Sequence, residues 1–123
     1  MLNDSTTAIF DLKSQVQAFC EARDWDQYHN AKDLAIGVST EAGELLDLFR
    51  FKSPDEVEAI FHDARGREEV EDEIADVLFF LLRLGQKYDI DLTKAFERKL
   101  EKNAAKYPVE TARGSNKKYC KWT

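Results

Sequence analysis

The chain has 123 residues, of which 43% are hydrophobic and 34% are charged, and its 18 basic and 24 acidic side chains give a net charge of −6. This length suits one domain with one core, and 5 glycines and 2 prolines are too few for the many turns of a sandwich or barrel. The acidic balance argues against a surface that binds duplex nucleic acid. An acidic protein can nevertheless bind a nucleotide substrate, because divalent cations can bridge carboxylates and phosphates.

Cysteine usage and hydropathy favour a cytoplasmic protein. Cys20 and Cys120 lie far apart with no metal-ligand spacing, which is typical of reduced thiols. No signal peptide is visible, and no apolar run approaches the roughly 18 residues of a membrane span. We therefore expect no membrane partner. A domain this small buries a limited fraction of its surface, so we expect a homo-oligomer.

Apolar periodicity predicts four main helices and one short helix. The predicted spans are about 4–23, 31–51, 53–62, 68–88 and 92–106. A capping box of Ser53 and Glu56 with Pro54 between them starts the short helix, and the sequence from Ala64 to Gly66 is expected to end it. The aperiodic residues 24–30 are interpreted as a connection.

These elements predict an all-α fold, with four main helices and one short helix in a bundle that oligomerisation completes. The bundle is expected to occupy residues 1–110, because Pro108 stops the last helix. Residues 111–123 are polar and basic without core periodicity, and we predict a mobile tail there.

Two pairs of acids fall on the apolar faces of two predicted helices. On helix 31–51, Glu41 lies about 20° from the centre of the apolar stripe and Glu44 lies at its edge. On helix 68–88, Glu73 lies inside the apolar arc and Asp76 lies at its border. A charge on a core face is costly unless a metal or partner compensates it. The alternative is a buried salt bridge to lysine or arginine.

If these helices are neighbours, the four carboxylates converge. Oxygen ligands without clustered histidine or cysteine favour Mg²⁺, with Mn²⁺ as a second candidate. On the last helix, Lys99 and Asn103 fall within the apolar face, and a cation with an amide there suits phosphate oxygens. The alternative is that Lys99 extends along the bundle to solvent and Asn103 caps another group.

Several motifs follow one another in a specific order from about residue 25 to residue 108. They are Trp25-x-x-x-His29, Glu41-Ala-Gly-Glu44-Leu45, Glu73-x-x-Asp76-Val77 and Lys99-x-x-x-Asn103-x-x-x-Tyr107-Pro108. This series resembles the MazG-like all-α nucleotide pyrophosphohydrolases, and most closely their small dCTP pyrophosphatase branch.

The resemblance implies that Glu41, Glu44, Glu73 and Asp76 are metal ligands and catalytic residues, in a dimer or a dimer of dimers. It further implies that Trp25 and His29 enclose the nucleotide and that Lys99 and Asn103 face its phosphates or sugar. The tail segment 114–119 is similar to tails of bacterial members and offers phosphate contacts.

Two positions depart from the dCTP-specific pattern of that branch. Phe51 stands where tryptophan is usual and can still stack on a base. Phe80 stands where tyrosine is usual and lacks the hydroxyl. Both are candidates for the base pocket, and both leave base and sugar preference open.

The predicted reaction is Mg²⁺-dependent hydrolysis of a (deoxy)nucleoside triphosphate to the monophosphate and pyrophosphate. The favoured substrates are dCTP-like pyrimidine deoxynucleotides. Related substrates such as dUTP or a phosphoribosyl nucleotide stay open. So does the identity of the carboxylate that orients the attacking water, for which Glu44 is a candidate. The alternative function is a non-catalytic helical module that binds nucleotide or metal, or an oligomerising adaptor.

Overall fold

The structure, a computed structural model, describes residues 2–121. Over this range it contains helices and two short 3₁₀ turns, Asp26–Tyr28 and Tyr119–Lys121, and no strand. The helices are α1 (Ile9–Ala22), α2 (Ala31–Asp47), α3 (Pro54–Ile60), α4 (Ala64–Lys87), α5 (Leu92–Lys106) and α6 (Val109–Ala112). The predicted all-α fold class is confirmed. Residues 122 and 123 of the predicted tail lie outside the described residues.

The chain divides into two compact units, Met1–Ile90 and Asp91–Thr123. In the first unit, α1 and α2 both pack on α4. The buried apolar side chains come from these three helices: Val16, Cys20, Leu34, Val70 and Leu82. The carboxylates and aromatic side chains described below are therefore mounted on helices that share one core.

The second unit contains α5 and α6. The side chain of Asp91 starts α5 by accepting a hydrogen bond from the backbone N–H of Lys94, at 2.9 Å. The rings of Tyr107, which precedes α6, and Tyr119, which follows it, meet edge to face with centroids 5.8 Å apart. The predicted domain boundary near residue 110 and the mobility of the tail stay predictions. The short helix α6 was not predicted.

The first helix begins later than its apolar periodicity predicts. The side chain of Asn3 accepts hydrogen bonds from the backbone N–H groups of Ser5 and Thr6, at 2.9 and 3.1 Å, and these bonds hold residues 4–6 in a turn. The helix then starts at Ile9, and the carboxylate of Asp11 accepts from the N–H of Ala8 at 3.1 Å. The predicted start at residue 4 or 5 is wrong because the backbone is extended at Ala8, with φ of −83° and ψ of 157°, so the turn of residues 4–6 does not continue into α1.

The predicted break at residues 64–66 is also wrong, because α4 begins there. Asp63 is the N-cap, and its carboxylate accepts from the N–H of Gly66 at 2.8 Å. A Cβ on Gly66 would lie 2.8 Å from the carbonyl oxygen of Ile60. Glycine is therefore needed for the close approach of α3 to the start of α4, and it does not end a helix here.

The predicted end of α2 at Phe51 is wrong by four residues. The α-helix ends at Asp47, and residues 48–51 form a turn. Phe51 has φ of 65°, in the left-handed region that bulky side chains rarely occupy. This residue lets the chain turn into α3, which starts with the predicted capping box between Ser53 and Glu56.

Gly37 is the point where α2 comes closest to an aromatic side chain of α4. A Cβ on Gly37 would lie 2.6 Å from Cδ1 and Cε1 of Phe80. Real Cβ atoms do not approach so closely, so the ring of Phe80 lies against the α2 backbone. This contact fixes Phe80 between the two helices that carry the acids.

We expect Gly37→Ala to lower the free energy of unfolding by about 1–3 kcal/mol, because overpacking against the Phe80 ring outweighs the gain in helix propensity of about 1 kcal/mol. Gly43→Ala is the matched control on the same helix, since nothing lies within 4 Å of its added Cβ. It should stabilise the protein slightly. Urea unfolding followed by circular dichroism measures both, and an equal gain in the two variants would contradict the packing of Phe80 described here.

Candidate metal and nucleotide site

Three carboxylates of α2 and α4 come together in the first unit. Glu41 of α2 and Glu73 and Asp76 of α4 each offer one oxygen, and these oxygens all lie within 4.8 Å of one another. Glu41 and Glu73 are half-buried, whereas Asp76 is exposed. The arrangement follows from the sequence spacing, because residues three apart on a helix share a face and α2 packs on α4.

Glu41 and Glu73, the two half-buried inner acids of the cluster, are destabilised in their charged form. Burial raises the pKa of Glu41 and of Glu73, and the neighbouring charge of Glu44 raises both further, with a smaller contribution from Asp76. Oε2 of each inner acid is buried without a hydrogen-bond partner in the described part of the chain. Within the described residues of the first unit, no lysine or arginine forms an ion pair with these acids. The alternative of a buried salt bridge therefore gains no support from this unit.

Glu44 lies next to both Glu41 and Glu73, within side-chain hydrogen-bond reach of each. It is exposed, and its carboxylate is close enough to raise the pKa of both Glu41 and Glu73. It does not belong to the set of oxygens within 4.8 Å of one another. Its position is thus compatible with a ligand that moves in by a rotamer change or with a group that acts beside the ligands.

The donor set fits a hard divalent cation. All donors are carboxylate oxygens, which Mg²⁺ and Mn²⁺ prefer over nitrogen or sulfur. Two of the oxygens are buried and unpaired, so a cation would supply the partner that the protein does not provide. It would also remove the mutual repulsion that raises the pKa values of the inner acids.

Aromatic rings form a second cluster in the same unit. The ring of Trp25 meets those of Phe19 and His29 edge to face, with centroids 5.6 and 6.1 Å apart. Phe19 meets Phe79 at 5.8 Å, and Phe79 meets Phe80 at 5.4 Å. A continuous series of ring contacts therefore joins Trp25 to Phe80. Trp25 is 38% exposed, which leaves ring surface available for stacking, whereas the guanidinium of Arg23 lies over the ring of Phe19, 3.6 Å from its centre.

Sequence reasoning missed the contributions of Phe19 and Phe79 to this cluster. Phe19 lies in the apolar stripe of α1, and this periodicity alone predicts a core side chain. The available signal was its position six residues before Trp25 at the end of a helix, which is too weak to indicate a ring contact.

Of the other predicted site residues, Phe51 belongs to the first unit, and Lys99 and Asn103 belong to the second. Phe51 is 92% exposed, and the guanidinium of Arg50 lies 4.5 Å from the centre of its ring. Lys99 and Asn103 are one turn apart on α5, with Lys99 exposed and Asn103 half-buried. Their predicted roles in substrate binding stay predictions.

Arg83 is the polar residue that sequence reasoning overlooked. It is 1% exposed and forms an ion pair with Asp26. Its Nε donates a hydrogen bond to Nδ1 of His29 at 3.0 Å. The signal in the sequence was an arginine inside the apolar run from Leu81 to Leu84, but its partners Asp26 and His29 lie more than fifty residues away along the chain.

Comparison with known proteins gives a consistent result. Residues 36–121 match the model of the MazG-like family. The chain is 34% identical over 109 residues to dCTP pyrophosphatase 1 of Rattus norvegicus, covering 89% of this chain and 64% of the relative. It is 32% identical over 115 residues to dCTP pyrophosphatase 1 of Bos taurus, covering 94% and 68%. The chain thus spans slightly less than two thirds of the length of the rat relative.

A solved structure is similar over almost its whole length. The crystal structure of a pyrophosphatase from Archaeoglobus fulgidus DSM 4304 superposes with a TM-score of 0.76 at 38% sequence identity. The match covers 88% of this chain and 99% of that chain. No helix among residues 2–121 is long and apolar enough to cross a membrane.

Proposed function

Because this chain belongs to the MazG-like family, we propose that it hydrolyses nucleoside triphosphates to the monophosphate and pyrophosphate. The observation that carries the proposal is the convergence of Glu41, Glu73 and Asp76, with an unpaired buried oxygen on each of the two glutamates. The relatives named dCTP pyrophosphatase 1 support dCTP-like pyrimidine deoxynucleotides as the substrates.

The proposed metal ligands are Glu41, Glu44, Glu73 and Asp76, and the proposed ion is Mg²⁺, with Mn²⁺ as a substitute. When bound, a divalent cation polarises phosphate oxygens and neutralises the charge that develops on them. In the reaction, water attacks the α-phosphorus, the bond from that phosphorus to the bridging oxygen breaks, and pyrophosphate leaves. The water's protons must pass to an acceptor, and carboxylates beside the phosphate are the available bases.

Two roles are open to Glu44, and one variant separates them. If Glu44 orients the attacking water, Glu44→Gln should lose turnover and keep its affinity for Mg²⁺. If Glu44 is a ligand, both should fall together. Calorimetric titration with Mg²⁺, paired with turnover of dCTP, measures the two quantities.

The proposed base pocket has aromatic walls. Trp25 and His29 are in contact, and Phe80 joins them through the ring cluster. Phe51 is proposed as a further wall, and Lys99 and Asn103 as contacts to the phosphates or sugar, on the basis of the family motifs. Stacking accepts any base, so we expect a preference among deoxynucleotides of tens-fold rather than the roughly 10⁴-fold of a pocket that pairs every polar group.

The proposed working unit is a cytoplasmic homodimer or homotetramer. Ile74, Leu78 and Leu81 lie on one side of α4 and are 51%, 42% and 42% exposed. Such an apolar stripe is typical of an interface between protein subunits. Sedimentation at micromolar concentration should give a dimer or tetramer, and a fully active monomer would contradict this part of the proposal.

Pyrophosphate release tests the proposed function directly. The purified chain is incubated with Mg²⁺ and, separately, with dCTP, dTTP, dUTP, dATP and CTP, and pyrophosphate is measured. We expect release from at least the pyrimidine deoxynucleotides and none when the metal is chelated. A non-catalytic adaptor would release none, and Glu73→Gln purified in parallel controls for contaminating enzymes.

Trp25→Ala should raise KM for every accepted nucleotide by about tenfold or more, because stacking of one base on an aromatic side chain contributes about 1–3 kcal/mol. Tyr28→Ala is the control, since Tyr28 lies in the same segment and is 64% exposed. Steady-state kinetics over the five nucleotides gives the values. Unchanged KM values and unchanged ratios in Trp25→Ala would show that the base binds elsewhere.

A further inference from the structure

Arg83 is a buried cation that fastens the connection between α1 and α2 to α4. Its side chain is 1% exposed, and its guanidinium has three partners. Nε donates to Nδ1 of His29 at 3.0 Å, Nη1 donates to the side-chain oxygen of Gln86, and Nη2 forms the ion pair with Asp26. A buried guanidinium is tolerated only when its donors are satisfied in this way.

A second cation holds the same segment. Nζ of Lys87 donates to the backbone carbonyl of Asp26 at 3.1 Å and lies 3.8 Å from its carboxylate. Two side chains from successive turns of α4, Arg83 and Lys87, therefore both contact Asp26 in the 3₁₀ turn Asp26–Tyr28. His29 directly follows this turn, and Trp25 directly precedes it.

The hydrogen bond from Arg83 determines where the proton of His29 resides. A guanidinium can only donate, so Nδ1 of the imidazole must be the acceptor and carries no proton. The ring is then neutral with its proton on Nε2. Burial lowers the pKa of His29, and the charge of Lys87 lowers it further, which favours the neutral ring at pH 7.

We propose that Arg83 is a positioning residue that holds His29 as the Nε2–H tautomer, so that the imidazole presents a neutral N–H donor to an acceptor oxygen of the nucleotide. The same contacts fix the backbone that carries Trp25, whose ring meets that of His29 at a centroid distance of 6.1 Å. Arg83 thereby acts on substrate binding without touching the substrate. This inference rests on the proposed function for the identity of the ligand.

The tautomer can be read directly by nitrogen-15 NMR of the imidazole rings. The chain has 2 histidines, and the exposed His62 is an internal reference. We expect His29 of the unmodified protein to show a protonated Nε2 and a bare Nδ1. In Arg83→Met the ring should populate both tautomers, and KM for dCTP should rise about tenfold, equivalent to one hydrogen bond of about 1.4 kcal/mol, while kcat changes less than about twofold.

Arg83→Lys guards against a folding defect in the methionine variant. Lysine can keep the ion pair with Asp26 but lacks the planar guanidinium that reaches His29. We therefore expect that His29 again populates both tautomers and that KM for dCTP rises as in Arg83→Met. Arg65→Met is the matched control, because Arg65 is exposed at the start of the same helix and should change neither quantity.

Two results would overturn the inference: a His29 tautomer that is unchanged in both Arg83 variants, or a lost tautomer with unchanged KM. The NMR measurement requires no turnover. If the unmodified protein releases no pyrophosphate but the Arg83 variants lose the tautomer, the positioning of His29 is supported and the proposed function alone fails.

Discussion

Glu73→Gln is expected to lower kcat/KM for dCTP about 10³-fold while leaving the helical content unchanged. Glutamine keeps the size of the side chain but removes the charge that would hold a divalent cation. Loss of metal-assisted charge stabilisation of roughly 4 kcal/mol corresponds to this factor. The fold should persist, because the charged Glu73 is a source of repulsion in the metal-free protein rather than of stability.

The control for this variant is Glu69→Gln, one turn earlier on α4. Glu69 is exposed and pairs at 3.5 Å with Arg65, and a surface pair of this kind contributes little. Its kcat/KM should stay within about twofold of the unmodified protein. Comparable activity of Glu73→Gln and Glu69→Gln would remove Glu73 from the proposed site.

The second large effect concerns the stability of the fold, which should fall as pH rises in the metal-free protein and increase when Mg²⁺ is added. The pKa values of Glu41 and Glu73 are raised in the folded protein, so the folded state binds more protons than the unfolded state between the ordinary and the raised values. The metal-free protein should therefore lose stability as pH rises above about 4.5, the ordinary value of a glutamate. Glu41→Gln should reduce this loss and unfold at a higher temperature at pH 7.

Mg²⁺ should reverse the loss in the unmodified protein. A ligand that binds only the folded state contributes about 2.7 kcal/mol when its free concentration is 100 times Kd. Thermal unfolding with and without Mg²⁺, at several pH values, measures both effects. Glu41→Gln should show little stabilisation by Mg²⁺. Equal stabilisation of the variant and the unmodified protein would exclude Glu41 as a ligand, and a metal-free protein that gains stability from pH 5 to pH 8 would contradict the electrostatic account of the cluster.

Helical periodicity accounts for most of what the sequence could predict. It places Glu41 and Glu73 inside apolar stripes and Glu44 and Asp76 at their borders, and in the structure the first two are half-buried and the last two exposed. This works because α2 and α4 are long, regular helices that pack on one another. The family motifs supplied the expected chemistry, and the MazG-like assignment is confirmed.

Turns and contacts between distant residues explain what periodicity could not predict. Phe51 has no sequence signature of a left-handed residue, yet its φ is 65°. The residues around Gly66 predict a helix end, whereas Gly66 lies in the first turn of α4, where an added Cβ would come within 2.8 Å of the carbonyl oxygen of Ile60. Asp26 and His29 are brought to Arg83 only by tertiary packing, so no local pattern could identify these two partners.

The most direct test of the central claim is hydrolysis of dCTP in water enriched in oxygen-18, with Mg²⁺ and product analysis by mass spectrometry. If these carboxylates serve attack of water on the α-phosphorus, the label should appear in dCMP and the pyrophosphate should be unlabelled. Label in pyrophosphate, or products that are dCDP and inorganic phosphate, would contradict the account, because attack would then occur at the β- or γ-phosphorus.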